Sequence, residues 1–297
     1  MSITVDSKLE TPISAPASSV AIYVQSLIVG ALLIGAFWPI LVGMCGSWFD
    51  EKASMEHGIL VIPAVAYMVW TKWSKLVQLP TRPSSWGVAL MFCGALQAML
   101  GIAAHWIWLS RTAFLVSLVG AVVALYGLRI TKELAYPLST LVLMIAPPSF
   151  VYESLTLSLQ LLASRLGEVS LEFLGYSVVR DGNILELVGA KLSVEEACSG
   201  IRSMLSILFM CTLYNYFFVR GNLSRGIILA MAAPVAILGN AGRIVATGIA
   251  SQYNSAWIHG PAHDAFGYIS IVVAGVGCVV VHLILLKLQK TWQSRHA

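Results

Sequence analysis

Three polar residues stand at the ends of long apolar runs in this chain. Cys198 lies in Val194-Glu-Glu-Ala-Cys-Ser-Gly-Ile-Arg202, Arg243 in Leu238-Gly-Asn-Ala-Gly-Arg-Ile-Val245, and His263 in His259-Gly-Pro-Ala-His-Asp-Ala-Phe-Gly267. A thiol at a helix start is turned toward thiolate by the helix dipole and the unbonded amides of the first turn. Glu195 and Glu196 work against this, because like charge raises a thiol pKa. An imidazole titrates near neutral pH, so His263 could serve as general base and then acid. Arg243 is permanently cationic and carries a rigid donor fork, which could hold the oxyanion of a tetrahedral intermediate. Nucleophile, proton carrier and oxyanion holder together would perform acyl transfer through a thioester.

Each residue also has an ordinary role. A cysteine at a helix start packs as a small hydrophobe. His57, His105 and His259 are as well placed as His263 to be an interfacial base. Arg243 within an apolar span is the strongest of the three, since a charge there is costly and marks function by default. Its ordinary alternative is a buried Arg satisfied by Asn240 or by helix-end carbonyls. His259 and His263 are four apart with Pro261 between them, which argues against a helical metal pair. No metal and no cofactor are expected.

The rest of the chain must position these groups, and its composition says in what solvent. Of 297 residues, 58% are hydrophobic and 11% charged, with a mean hydropathy of +0.82. Soluble domains run near 45–50% apolar and about 25% charged, so a soluble enzyme, a disordered chain and a disulfide scaffold are all excluded. Five cysteines with no C-x-x-C pair suggest neither a disulfide framework nor a zinc knuckle. The net charge of +4, without a block of five like charges, argues against nucleic acid as a partner. Met1–Val20 lacks the basic start and small-residue cleavage site of a signal peptide, so the first apolar run is expected to be a retained span.

Charges mark the gaps between spans. Eight spans are expected: Ala21 to Met44, His57 to Thr71, Trp86 to Ala104, Thr112 to Leu128, Leu134 to Phe150, Ile201 to Val219, Gly226 to Ala250 and Ala265 to Lys287. Between the fifth and sixth, Leu155, Leu159, Leu162, Leu166, Val169 and Phe173 recur at helical spacing opposite Glu153, Arg165, Glu168 and Glu172, the pattern of an amphipathic helix at the interface. Tyr176–Arg180 and Ile184–Val188 flank Asp181-Gly182-Asn183, a hairpin signal. The expected fold class is therefore an all-α polytopic membrane protein of about eight transmembrane helices, with an extracytoplasmic amphipathic helix and a small β-hairpin before the Cys motif. Its parts are a cytoplasmic tail over 1–20, one membrane-embedded domain over 21–288 with an extracytoplasmic insert at 151–200, and a cytoplasmic tail over 289–297.

Eight spans put both termini on one side. That side would hold Lys8, Lys72, Lys75, Arg82, Arg129, Lys132, Arg220, Arg225, Lys287, Lys290 and Arg295 against only Asp6, Glu10 and Glu133. Lys/Arg bias in short loops marks the cytoplasmic face. The termini are thus expected inside, and Cys198, Arg243 and His263 at similar depth toward the outside.

In order and spacing, Glu195-Glu-Ala-Cys-Ser-Gly-Ile-Arg202, Asn240-x-x-Arg243 and His263-x-x-x-Gly267 resemble the exosortase/archaeosortase family. Glu56-His-Gly-Ile-Leu-Val-Ile-Pro63 is similar to that family's first outer motif, with Glu56 where Ser is common. The resemblance implies a cysteine transpeptidase or protease of the cell inner membrane. Such an enzyme removes a C-terminal sorting signal, the PEP-CTERM tail of an apolar helix and a basic end, from secreted proteins. Carried over, Cys198 is the nucleophile and thioester carrier with Arg243 and His263 as its partners. Glu195, Glu196, Arg202, Asn240 and His57 are candidates for substrate binding. The implied partners are secreted proteins bearing that signal, membrane lipid, and a lipid or glycan acceptor. Two other classes fit the same residues: a transporter with an intramembrane Arg, and a membrane acyltransferase using Cys198 with a lipid donor.

Overall fold

Most of the uncharged runs fold as helices, and the breaks fall where proline or charge interrupts them. The structure, a computed structural model, describes residues 19–50, 55–188, 190–194, 201–254 and 261–296. Helices α1 (Ser19–Ala36) and α2 (Trp38–Phe49) occupy the first expected span but are bent by 73° at Phe37. Pro39, in the first turn of α2, has no N–H to carry the α1 ladder onward. Helix α3 (Gly58–Thr71) follows, then the short α4 (Trp73–Val77) and the hairpin of α5 (Ser85–Ala103) and α6 (Ile107–Tyr126).

The α5–α6 hairpin shows how closely these helices approach. Gly87, Gly94 and Gly101 recur every seven residues on α5. They face Ala124 and Gly120, Ser117, and Ser110 of α6, at places where a side chain would collide with backbone or hydroxyl. Small residues let apolar helices pack without a hydrophobic drive from water.

The fifth expected span, Leu134 to Phe150, is not one helix. After α7 (Leu128–Glu133) it divides into α8 (Ala135–Thr140) and a 3₁₀ turn (Leu141–Met144), and the chain is non-helical from Ile145 to Pro148. Pro147 and Pro148 remove two consecutive donors and bias the residues before them away from the helical region. Helix α9 (Ser149–Phe173) then leaves at 75° to the preceding segment.

Helix α9 is the expected amphipathic helix, yet its leucine stripe points away from the protein. Leu155, Leu162, Val169 and Phe173 are exposed, Phe173 by 90%. Thr156, Gln160, Ala163, Ser164, Gly167 and Leu171 form the buried face. In an apolar solvent the leucines belong outside, and small or polar residues mediate the protein contact.

The expected hairpin is present as β1 (Val178–Asp181) and β2 (Ile184–Leu187), antiparallel with Val178 opposite Leu187 and Asp181 opposite Ile184. Gly182, at φ +61°, takes the left-handed turn position. A third strand, β3 (Ala190–Ser193), adds antiparallel to β2 and completes a sheet of order β1-β2-β3.

Helices α10 (Ile201–Phe218), α11 (Asn222–Tyr253) and α12 (Pro261–His296) form a second bundle. Its core contains Ile207, Cys211, Ile228, Ala232, Ala236, Ala274 and Cys278. Contacts fix its registers. Antiparallel α11 and α12 pair Ser224 with Gln289 and Val235 with Gly277, while parallel α10 and α12 pair Met210 with Gly275 and Tyr214 with His282.

Among the described residues, four helical segments are each long and apolar enough to cross a membrane: Ser85–Ala103, Ile107–Tyr126, Asn222–Tyr253 and Ala265–Thr291. The two bent pairs raise the count to six, and Gly58–Thr71 and Met204–Phe218 are shorter apolar helices. Length and composition therefore give four to six spans, where the charge gaps lead one to expect eight.

Basic groups gather at one end of the assembly. Lys72 Nζ donates to the Glu133 carbonyl at 2.5 Å and lies over the Tyr216 ring, and Arg225 lies over the Tyr136 ring. The Lys75 ammonium, bonded to Glu133 at 2.8 Å, holds that carboxyl below its usual range. The first turns of α3, α6 and α10 lie at the opposite end.

Candidate functional site

Arg243 sits in the C-terminal third of α11, where the helix is wedged between α12 on one side and α9 with its sheet on the other. Its guanidinium lies against Gly267 of α12. A Cβ at 267 would stand 3.3 Å from Arg243 Cζ and 3.4 and 3.5 Å from its two terminal nitrogens. Glycine here is a matter of close approach: it makes the shallow seat in which the planar fork rests. Asn240, one turn earlier on α11, is buried. Arg243 of the Asn240-x-x-Arg243 pattern thus meets Gly267 of the His263-x-x-x-Gly267 pattern.

His263 lies in the first turn of α12, which opens at Pro261, the proline supplying a fixed φ where no N–H is needed. Positions 263 and 267 are one helical turn apart and share a face of α12. The side chains of His263 and Arg202 are outside what is described, as are the residues Cys198, Glu195, Glu196 and His259 altogether.

Both flanks of the Cys motif are fixed. Val194, at the end of β3, is completely buried. Its N–H donates to the Asn183 carbonyl at 2.8 Å, and its own carbonyl accepts from Asn183 Nδ2 at 3.1 Å. Four residues after Val194 comes Cys198, and three later α10 begins at Ile201. The sheet is anchored in turn on α9 and α11. Val178, Leu185, Leu187, Leu192 and Val194 share a core with Ala163, Leu171 and Ile244.

Two glycines permit that packing. A Cβ at Gly167 would lie 2.8 Å from Ile244 Cγ2 and 3.2 Å from Leu185 Cδ1, and one at Gly248 would lie 3.2 Å from Leu171 Cδ1. Ile244 is the next residue after Arg243, so the α9–sheet layer fixes the helix where the Arg emerges. The Arg180–Glu168 ion pair, at 2.7 Å, ties β1 to α9. Sequence reasoning reached neither glycine nor β3, and it reached Asn183 only as a turn residue, not as the partner of Val194.

His57 is placed differently from the other candidates. It is buried, its Nε2 lies 3.1 Å from the Leu143 carbonyl, and its ring is 6.0 Å from that of Phe209 on α10. Donating from Nε2 to that carbonyl makes it a clamp on the 3₁₀ turn. Trp48 acts beside it, its indole N–H bonding the Met144 carbonyl at 3.0 Å, while Gly58 leaves room for the indole ring. His105 is exposed in the α5–α6 turn at φ +52°. Among the described residues no group of three or more His, Cys, Asp or Glu could hold a metal ion.

A family model described as transmembrane exosortase matches residues 48–280, most of the chain, including all the motifs above. No curated protein and no solved structure matches.

Proposed function

Since the chain belongs to the transmembrane exosortase family, we propose that it is a membrane thiol transpeptidase that cuts the C-terminal sorting signal from secreted proteins. The observation that carries the proposal is the seating of Arg243 on Gly267, one turn from His263. The helix registers support the same site. Counting at 1.5 Å per residue from Val235 opposite Gly277, position 243 lies about 12 Å and position 263 about 21 Å toward the same end, and the Arg243 side chain reaches toward 263 as far as Gly267. The anchored Val194 and the start of α10 leave a short tether for Cys198.

In the proposed reaction the substrate's apolar helix lies in the bilayer beside the bundle and its cleavage motif reaches the outer end. His263 takes the Cys198 thiol proton, and the thiolate attacks the scissile carbonyl carbon. The resulting oxyanion takes two N–H bonds from the Arg243 fork. His263 protonates the leaving amine, the C–N bond breaks, and the apolar helix departs, leaving the upstream protein as a thioester on Cys198. A second nucleophile, an amine or hydroxyl on a lipid or glycan, then loses its proton to His263 and attacks the thioester, regenerating the thiol. Water in that role would make the reaction proteolysis. A guanidinium gives bidentate donor bonds and does not act as a proton donor in proteins, which suits Arg243 to the oxyanion and not to proton transfer.

The proposed location is the cytoplasmic membrane with both termini inside and the site at the outer face. The gathering of Lys72, Lys75 and Arg225 at the opposite end supports this orientation. The test is Cys198→Ala. That variant should insert and accumulate, since one thiol contributes little packing, while substrate builds up with its C-terminal helix attached. Normal processing by Cys198→Ala would end the proposal.

A further inference from the structure

A second concave site lies at the same end of the molecule as Arg243, at the start of α9, whereas the sheet packs farther along that helix near Ala163, Gly167 and Leu171. Its walls are the end of α2, the α5–α6 turn and the start of α9, and its volume is about 410 Å³, within the range of small-ligand sites. Three aromatic side chains, Trp106, Trp108 and Tyr152, line it together with three planar polar ones, His105, Arg111 and Glu153. Arg111 is held in place by a bond from Nη2 to the Gly43 carbonyl at 2.9 Å, which ties α6 to α2. The Trp106 and Trp108 rings are 6.3 Å apart and inclined by 35°, so they form two sides of a bowl and not a stacked pair.

The chemistry of this lining selects among ligands. Aromatic faces offer flat apolar surface, which suits the C–H faces of a pyranose ring. Arg111 supplies only donors, Glu153 only acceptors and His105 one of each, so hydroxyl groups, which are both donor and acceptor, can be met all round. A phosphate or sulfate would meet Arg111 favourably but Glu153 unfavourably, and the opposed charges leave no net attraction for an anion. Ile107 and Phe150, exposed by 64% and 66%, flank the site on the turn into α6 and the start of α9. They provide an apolar path along which an alkyl tail could lie.

We propose that this pocket binds a neutral saccharide, either free or as the headgroup of a lipid. The proposal stands on the pocket alone and does not depend on the thiol chemistry at Cys198.

The experiment is saturation-transfer NMR on the full chain in lipid nanodiscs. Methyl glucoside, methyl galactoside and methyl N-acetylglucosaminide are the probes, with phosphorus line width of inorganic phosphate as the anion arm. At least one glycoside should receive saturation from the protein above that seen in empty nanodiscs. Trp106→Ala and Glu153→Gln, both at exposed positions, should each weaken that signal at least fivefold, while thermal unfolding stays unchanged. The octyl glycoside of the same sugar, kept below its micellar concentration, separates the two sources. Binding at least tenfold tighter than the methyl form assigns a lipid headgroup, and equal binding assigns a free sugar. Absence of transfer to every glycoside, equal transfer in both variants, or broadening of phosphate in place of the sugars would overturn the proposal.

Discussion

The Arg243 guanidinium rests on the bare backbone of Gly267, with 3.3 Å between Cζ and the point where a Cβ would begin. One atom decides the position of the fork. Gly267→Ala should therefore push it by a few tenths of an ångström and lower reporter cleavage several-fold. Gly267→Leu should displace it by about 1 Å or more and cost about 10²-fold. Both variants should insert normally. Rates of reporter cleavage in nanodiscs check this, and equal rates for all three proteins would detach Arg243 geometry from turnover.

Arg243 and His263 have separable roles. Arg243→Lys keeps the charge and loses the fork, and should lower the rate by about 10²–10³. His263→Gln keeps a hydrogen-bonding shape without proton transfer, and should lower it by about 10²–10⁴. Residual His263→Gln activity should rise with pH, because a thiol ionises unaided near pH 8.5. A pH–rate profile of the three enzymes on one substrate reads both effects. An unaltered profile for His263→Gln would send the search for the base to His105 and His259.

The sheet should matter through the segment it holds. Asn183→Ala removes the Nδ2 bond to the Val194 carbonyl, at a cost of about 0.5–1.5 kcal/mol. Cleavage should fall several-fold while the amount of inserted protein is unchanged. Gly167→Val forces a branched side chain onto Ile244 and should cost about 1–3 kcal/mol through overpacking, measured as a lower unfolding midpoint. By contrast Glu168→Gln, which breaks a partly exposed ion pair with Arg180, should cost less than about 1 kcal/mol.

Orientation has its own test. Cys45 and Cys93 are free and exposed in the chain, but they lie in apolar helices where an aqueous reagent does not reach. In a background with both changed to Ser, a membrane-impermeant maleimide should label Cys198 from the periplasmic or extracellular side of cells. Labelling from the cytoplasmic side alone would reverse the arrangement.

How far the sequence could be read follows from the solvent. Charge gaps located most of the helices, because charge is what lipid excludes. The same reasoning overran Pro147-Pro148, where residues as apolar as their neighbours lack the donors a helix needs. On α9 it set the leucines opposite Glu153, Arg165, Glu168 and Glu172 but did not single out Thr156, Gln160 and Ser164, which are buried against the bundle. Strand β3 is as short as β1 and β2, but no Asp-Gly-Asn turn of the kind that joins those two announces it. The site was legible as residue types, Arg243 above all, since a charge in an apolar run needs a reason. The seat at Gly267 and the close approaches at Gly167 and Gly248 were not legible, because a glycine reveals what it admits only when the neighbour is in place.

The most direct measurement on the central claim is the mass of the enzyme during turnover. Acid-quenched samples of enzyme and reporter substrate, read by intact mass spectrometry and peptide mapping, should show the upstream fragment attached to Cys198. The adduct should be released by hydroxylamine, as a thioester is, and should build up in the absence of an acceptor. It should be missing from Cys198→Ala, with substrate left whole. Cleavage without any adduct on Cys198, or an adduct on another residue that persists in Cys198→Ala, would contradict the thiol mechanism.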